Sequence, residues 1–234
     1  NEFPYDINRY FFEMGVSLNR RQSYFILYLK KMLRYEKDII KMFLDKGICF
    51  IHIPKNGGSS VVDALYGAGI PHHSALYHSI VHGKVFKRMP SFAIWRDPVS
   101  RFVSSYFYLR DYSSFPADRE FASRVYGSTD SPLSLIDRMM EDEVLKQEIL
   151  RWPHFSPQYS FVSDLSGQVI VDWIADISHM EAVSSELSKI TSSNVVIGRK
   201  NEGKRASYSD EEFTCKVRSL YSRDSLIYEK IRSS

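Results

Sequence analysis

The sequence predicts an α/β domain built on a mainly parallel sheet. Three observations carry this expectation. Short apolar runs rich in β-branched residues alternate with longer segments of helical period, two of those runs lead directly into loops that open helices, and no internal repeat or low-complexity stretch interrupts the alternation. A chain of 234 residues that is 44% hydrophobic and 25% charged is long enough for one sizeable core and short for two domains. The expected organisation is a helical segment over 1–47 packed on a main domain over 48–234, forming one globular body.

The elements follow in order. From Arg20 to Lys46, apolar residues including Phe25, Tyr28, Leu29, Met32, Ile39, Ile40, Phe43 and Leu44 recur at helical spacing, and Gly47 supplies a stop. Ile48–Ile53 reads as a strand buried on both faces. It runs into Pro54-Lys55-Asn56-Gly57-Gly58-Ser59-Ser60 and then a short helix over Val61–Tyr66, ended by Gly67-Ala68-Gly69. Ser91–Trp95 repeats this grammar, followed by a helix from Pro98 to about Asp111 with Asp97 as N-cap. Gln168–Trp173 and Asn194–Ile197 read as two more strands around a helix from Met180 to Ile190. Ser209 with Glu212 has the form of a capping box for the last helix.

Composition excludes some classes of function. The net charge of +3 is too small to indicate a nucleic-acid partner, although it suits an anion site. No apolar run approaches the roughly 20 residues of a membrane-spanning helix, and neither a signal peptide nor an N-glycosylation sequon is present. Cys49 lies in an apolar run far from Cys215, so a disulfide framework is not expected and a reducing compartment is favoured.

Two segments carry chemistry. A glycine pair between a buried strand and a helix turns backbone N–H groups toward a ligand, with the helix N-terminus adding partial positive charge, which suits phosphate. Two glycines alone fit a plain turn with a surface lysine equally well. Lys55 precedes Gly57 and Gly58, the reverse of the order in nucleoside-triphosphate-binding P-loops, which argues against an ATPase or kinase. In the helix opening at Pro98, the apolar stripe of Val99, Phe102, Val103, Tyr106 and Phe107 leaves Asp97, Ser100, Arg101 and Ser104 on another face. An arginine and a hydroxyl there can point into one cleft, or the corner can be a purely structural ion pair of Arg96 with Asp97 or a neighbour.

Read together, His52–Ser60 resembles the 5′-phosphosulfate loop of carbohydrate-type sulfotransferases, Pro-Lys-x-Gly-Gly-[Ser/Thr]-Ser, and Arg96–Tyr106 resembles their 3′-phosphate signature, Arg-[Asp/Asn]-Pro-x-x-Arg-x-x-Ser-x-[Tyr/Phe]. His154–Gln158, Gly167–Asp172, Asn201–Arg205 before Tyr208, and Leu220–Asp224 resemble further segments of bacterial relatives. The resemblance covers roughly residues 48–230. It implies a P-loop-like three-layer α/β/α sandwich that transfers a sulfuryl group from 3′-phosphoadenosine-5′-phosphosulfate (PAPS) to a carbohydrate hydroxyl, releasing 3′-phosphoadenosine-5′-phosphate (PAP), with no metal required. It implies that Lys55, Asn56, Gly57, Gly58, Ser59 and Ser60 hold the 5′ end, that Arg96 and Ser104 hold the 3′-phosphate, and that Lys55 stabilises the leaving oxygen. A cytoplasmic location is expected, or a Golgi lumenal one if an N-terminal anchor precedes Asn1. A nucleotide-dependent kinase and an inactive PAP- or polyanion-binding module are the alternatives.

The acceptor hydroxyl must lose a proton as it attacks, so a histidine near it is expected. Four of the seven histidines lie between His72 and His82. His72-His73-Ser74-Ala75 resembles a His-x-[Ser/Thr]-Ala element of bacterial relatives, and His82-Gly83 resembles the position of the base in heparan-sulfate-type enzymes. His82 is slightly preferred over His72 and His73. The spacing of His78 and His82 also fits two zinc ligands on a helix, without a third. His154 and Gln158 either line the cleft or stabilise a loop.

Overall fold

The computed structural model describes residues 34–127, 129–198 and 210–233. The chain divides into two compact units, residues 1–45 and 46–234. The described part of the first unit is helical. Helix α1 covers 34–46, and Gly47, at φ +66°, gives the left-handed residue that ends it. Residues 20–33 of the expected helix lie outside the described residues.

The protein is mixed α/β, with 64% of the described residues helical and a small open sheet of three parallel strands in the order β1-β2-β3. The strands are β1 (Cys49–Ile51), β2 (Ser91–Trp95) and β3 (Trp173–Asp176). Every residue of β1 and β2 is buried, as their apolar runs require. Register places Phe50 opposite Phe92 and Phe92 opposite Trp173. The three rings form a ladder across the sheet, with centroids 4.8 Å apart in the first pair and 4.5 Å in the second.

Helix α2 (Gly58–Tyr66) follows β1, and α3 (Ala75–Val81) and α4 (Gly83–Arg88) lead into β2. Helix α5 (Pro98–Phe107) leaves β2 with Asp97 as its N-cap, the carboxylate accepting from Ser100 N at 2.9 Å, and with Pro98 in the first turn, as the sequence predicts. Beyond Phe107 the expected helix changes pitch into a π-helical turn, Tyr108–Tyr112. Helices α6 (Pro116–Tyr126), α7 (Pro132–Glu141), α8 (Glu143–Arg151) and α9 (Tyr159–Val162) precede β3, and α10 (Met180–Thr191), α11 (Glu211–Leu220) and α12 (Ser222–Ser233) follow it. The helical core gathers Phe102, Tyr106, Phe121, Leu135, Ile149 and Phe213.

Three expectations are corrected. The strand expected over Gln168–Trp173 begins where that run ends, because the run folds back on its own neighbours: Ile170 N donates to Val162 O, and Asp164 N to Gln168 O. Asp172 then accepts from both N and Oγ of Ser91, fixing the start of the β2–β3 pairing. Asn194–Ile197 is not a strand. Its backbone bonds to serine hydroxyls of α10, Val195 N and Ile197 N donating to Ser188 and Ser184 Oγ, while Ser184 Oγ donates to Val195 O. Asp210, one residue later than the expected cap, caps α11 by accepting from Phe213 N at 2.8 Å, and Glu212 pairs with Lys216. Ser209 lies outside the described residues, as do Asn201–Arg205 and Tyr208.

One buried amide joins the loops that leave β1 and β2. Gln158, fully buried, accepts through Oε1 from Asn56 Nδ2 at 2.6 Å and from Arg96 N at 3.1 Å, and donates through Nε2 to Arg96 O at 2.8 Å. Its own N donates to the buried Asp224 carboxylate at 2.7 Å. Replacing the amide strands the Arg96 backbone groups, and unpaired buried polar groups are costly. Gln158→Leu is therefore expected to lower unfolding free energy in urea by about 2–4 kcal/mol, whereas Gln168→Leu on the exposed turn should change it little.

Candidate functional site

The Lys55–Ser60 loop is held by geometry that its residue types explain. Lys55 has φ +69° and Gly57 φ +74°; the first is a strained setting for a residue with a Cβ, whereas the second needs glycine. Gly58 is required for a different reason. A Cβ there would stand 2.2 Å from His52 Cδ2, so the glycine makes room for the His52 imidazole rather than for a turn. Gly57 and Ser59 are exposed at the start of α2, while Gly58 and Ser60 are buried. The Asn56 side chain turns inward and donates to Ile94 O at 2.7 Å and to Gln158. At 1% exposure it anchors the loop, leaving the N–H groups of the first turn, Ser59 and Lys55 as the polar groups suited to an anion.

The corner after β2 reaches the same loop. Arg96 Nη1 donates to Lys55 O at 2.9 Å and Nε to Ser100 Oγ at 3.0 Å. Ser104 stands one turn beyond Ser100 on α5, partly exposed. Asp97 pairs with Arg218 across 3.1 Å instead of with Arg96. Arg101 does not point into a cleft. It is 3% exposed, and its guanidinium donates to the carbonyls of Pro54, Ser156 and Pro153, tying α5 to the β1 loop and to the segment before α9.

Six of the seven histidines fall into two groups. The His72 ring lies tilted against His52 with centroids 4.1 Å apart and edge-on to His154 at 6.4 Å. The His154 ring stacks on Tyr108, over which Lys55 Nζ lies 3.7 Å from the ring centroid. His72 and His154 therefore belong to the surroundings of Lys55. His73, His78 and His82 form a second aromatic cluster with Tyr77 and Phe86, in which His78 stacks on His82 with centroids 5.3 Å apart. Geometry thus favours His72 over His82 as a partner of the loop. His72 Nδ1 is 2.8 Å from His52 O. A carbonyl only accepts, so this bond assigns the proton to Nδ1 and leaves Nε2 with its lone pair.

Electrostatics set the protonation states. Burial pulls the Lys55 ammonium down to about 8, with Arg96 and Arg101 pushing the same way and Asp118 opposing. Burial first, then the charges of His72, Lys55 and Arg101, hold His154 down to about 2. His72, although an exposed residue, is lowered by desolvation among the groups crowded around its ring and, more weakly, by Arg101, His73 and Lys55, against the bond to His52 O. The site therefore holds one ammonium and neutral imidazoles at neutral pH. The Asp118 carboxylate stands 3.8 Å from His154 Nδ1 and accepts from Trp152 Nε1 at 3.0 Å and Ser113 Oγ at 2.7 Å.

Sequence reading missed His52, Tyr108 and Asp118. His52 carried the one available signal, an imidazole two residues before the loop's proline. Among the described residues no group of three or more His, Cys, Asp or Glu side chains is arranged to hold a metal, and no helix is long and apolar enough to cross a membrane. Cys49 and Cys215 are both free thiols. An open groove of about 450 Å³ lined by Phe121, Arg124, Val144, Arg151 and Trp152 lies between α6 and α8. No protein-family model, curated protein or solved structure matches the chain.

Two predictions follow from this packing. Gly58→Ala should lower the thermal midpoint sharply, and His52→Ala in the same chain should recover part of the loss, because the clash is with that ring. His78 is held down to about 3, first by burial and then by His73 and His82, against 6.5 for the free imidazole. Below pH 6.5 the unfolded chain takes up a proton that the folded chain refuses, so stability falls as pH drops toward 3. At pH 5 the share of His78 is about 2 kcal/mol, and His78→Phe should reduce the slope of the melting-temperature profile between pH 6.5 and 5, the other lowered imidazoles supplying the remainder.

Proposed function

We propose that the chain is a PAPS-dependent sulfotransferase acting on a carbohydrate hydroxyl, and that its domain is a three-layer sandwich of P-loop-like type. The observation that carries the reading is the direct bond from Arg96 to the Lys55 carbonyl. It joins two anion motifs, each at the carboxyl end of one of two adjacent parallel strands, and this supports a single doubly phosphorylated nucleoside as their shared ligand. The residues present suit such a ligand: N–H groups of the α2 first turn with Ser59 and Lys55 for the 5′ end, and Arg96 with Ser104 for the 3′-phosphate.

PAPS supplies the activated sulfuryl group. As the acceptor oxygen bonds to sulfur and the bond from sulfur to the phosphate oxygen breaks, negative charge passes to that phosphate oxygen. The Lys55 ammonium is suited to receive it, in surroundings dry enough for a single charge to count. His72 Nε2 is suited to take the acceptor proton, because a neutral imidazole anchored through Nδ1 presents a fixed lone pair. Asn56, Gln158 and Arg101 keep the two loops in register.

PAP is expected to raise the thermal midpoint while ATP at equal concentration does not, and sulfate from labelled PAPS should appear on one or more members of a glycan panel. Arg96→Ala should weaken PAP binding by about 10- to 100-fold. Lys55→Ala should cut turnover by about 100-fold or more, far more than it weakens PAP binding. His72→Ala should cut turnover by a similar factor, whereas His82→Ala should not. Stabilisation by ATP with magnesium and none by PAP would overturn the reading in favour of a kinase, and PAP binding with no transfer to any acceptor would leave a binding module.

A further inference from the structure

Lys55 is the ammonium of the site, and its nearest described contact is aromatic. Its Nζ lies 3.7 Å from the centroid of the Tyr108 ring, a distance at which the negative face of the π-system attracts a cation. Tyr108 opens the π-helical turn at the end of α5, and such single-turn departures from α-helical pitch often occur at functional positions. The same ring stacks against His154, with centroids 4.9 Å apart and planes 27° apart. One side chain therefore touches both the lysine and a member of the imidazole group.

The charges facing Lys55 show why such a contact matters. Arg96 from the end of β2 and Arg101 from α5 repel the ammonium, and burial disfavours it further. The opposing carboxylate, Asp118 on α6, is already engaged by Trp152 Nε1 and Ser113 Oγ. His72 and His154 are neutral and carry no compensating charge. The backbone of Lys55 is fixed at φ +69°, so the side chain leaves the loop in a set direction.

We infer that Tyr108 is a positioning residue, its ring face holding the Lys55 ammonium at the mouth of the anion cradle until an incoming 5′-phosphosulfate takes it over. The inference rests on the reading of Lys55 as the group that meets the leaving oxygen. It makes the aromatic face the resting partner of the lysine, which moves from ring to ligand without passing through bulk water. The phenolic hydroxyl is not needed for this, so phenylalanine should substitute and an aliphatic residue should not.

The test reads Lys55 directly, without relying on activity. In the full chain labelled with 15N-lysine, the Lys55 ammonium resonance, assigned by its loss in Lys55→Arg, is titrated in Tyr108→Phe and Tyr108→Leu. Tyr108→Phe should titrate near the native value of about 8, and Tyr108→Leu should move to lower pH by about one unit. Pentafluorophenylalanine at position 108 keeps the shape and removes the attraction of the ring face, so it should behave as leucine does and covers the case in which the leucine variant fails to fold. The alkaline limb of the pH profile of kcat/KM for PAPS, which reports the free enzyme, should move by the same amount, whereas that of kcat, which reports the complex in which the ligand holds Lys55, should move little. Unchanged Lys55 titration in the fluorinated and leucine variants would overturn the inference. The expected titrations in a protein that neither binds PAP nor transfers sulfate would instead overturn the functional reading and leave the pairing of Tyr108 with Lys55 standing.

Discussion

The buried amide of Gln158 is the interaction on which the arrangement of the site depends. It joins Asn56 in the loop after β1 to both backbone groups of Arg96 in the corner after β2, and its own backbone is fixed by Asp224 at the start of α12. Parallel pairing of β1 with β2 alone sets the two strand ends side by side, but it does not determine where the loops beyond them go. An amide that is fully buried must find partners for its donor and its acceptor, and here those partners belong to the two loops. Arg101 adds a second cross-link from α5 to Pro54, Pro153 and Ser156. The loops are thus positioned by polar groups whose alternative is to be buried and unpaired.

That positioning concentrates positive charge. Lys55, Arg96 and Arg101 converge on one region, and the Asp118 carboxylate facing Lys55 is bound by Trp152 and Ser113. Desolvation outweighs the rest for the imidazoles, which stay neutral beside the lysine. A region that suppresses protonation of its histidines and lowers its lysine is one in which an added anion relieves repulsion. The same physics explains why a neutral imidazole beside Lys55 retains a lone pair able to accept a proton.

The glycine pair illustrates how similar residues answer different constraints. Gly57 meets a conformational requirement, since its φ lies in the left-handed region, whereas Gly58 meets a steric one imposed by His52. Lys55 adopts the left-handed region without the exemption glycine enjoys. It is retained there by the bond from Arg96 to its carbonyl and by the contact of its ammonium with Tyr108.

The sequence by itself determined the α/β class, strands β1 and β2, the loop between β1 and α2, and the Asp97-Pro98 start of α5. All of these rest on local rules: apolar runs, left-handed glycines and N-caps act over a few residues and leave a direct trace in the order of the chain. The placement of β3 escaped local reading because Val169 and Ile170 have the composition of a strand but pair back on Val162 and Ser163. Likewise Asn194–Ile197 finds its hydrogen bonds on serines of α10. Only the tertiary structure decided which histidines surround Lys55, that the Arg101 and Asn56 side chains tie the loops together, and that Tyr108 meets the lysine. Each of these depends on contacts between residues tens of positions apart, where burial and the need to pair buried polar groups decide the outcome and sequence spacing carries no signal.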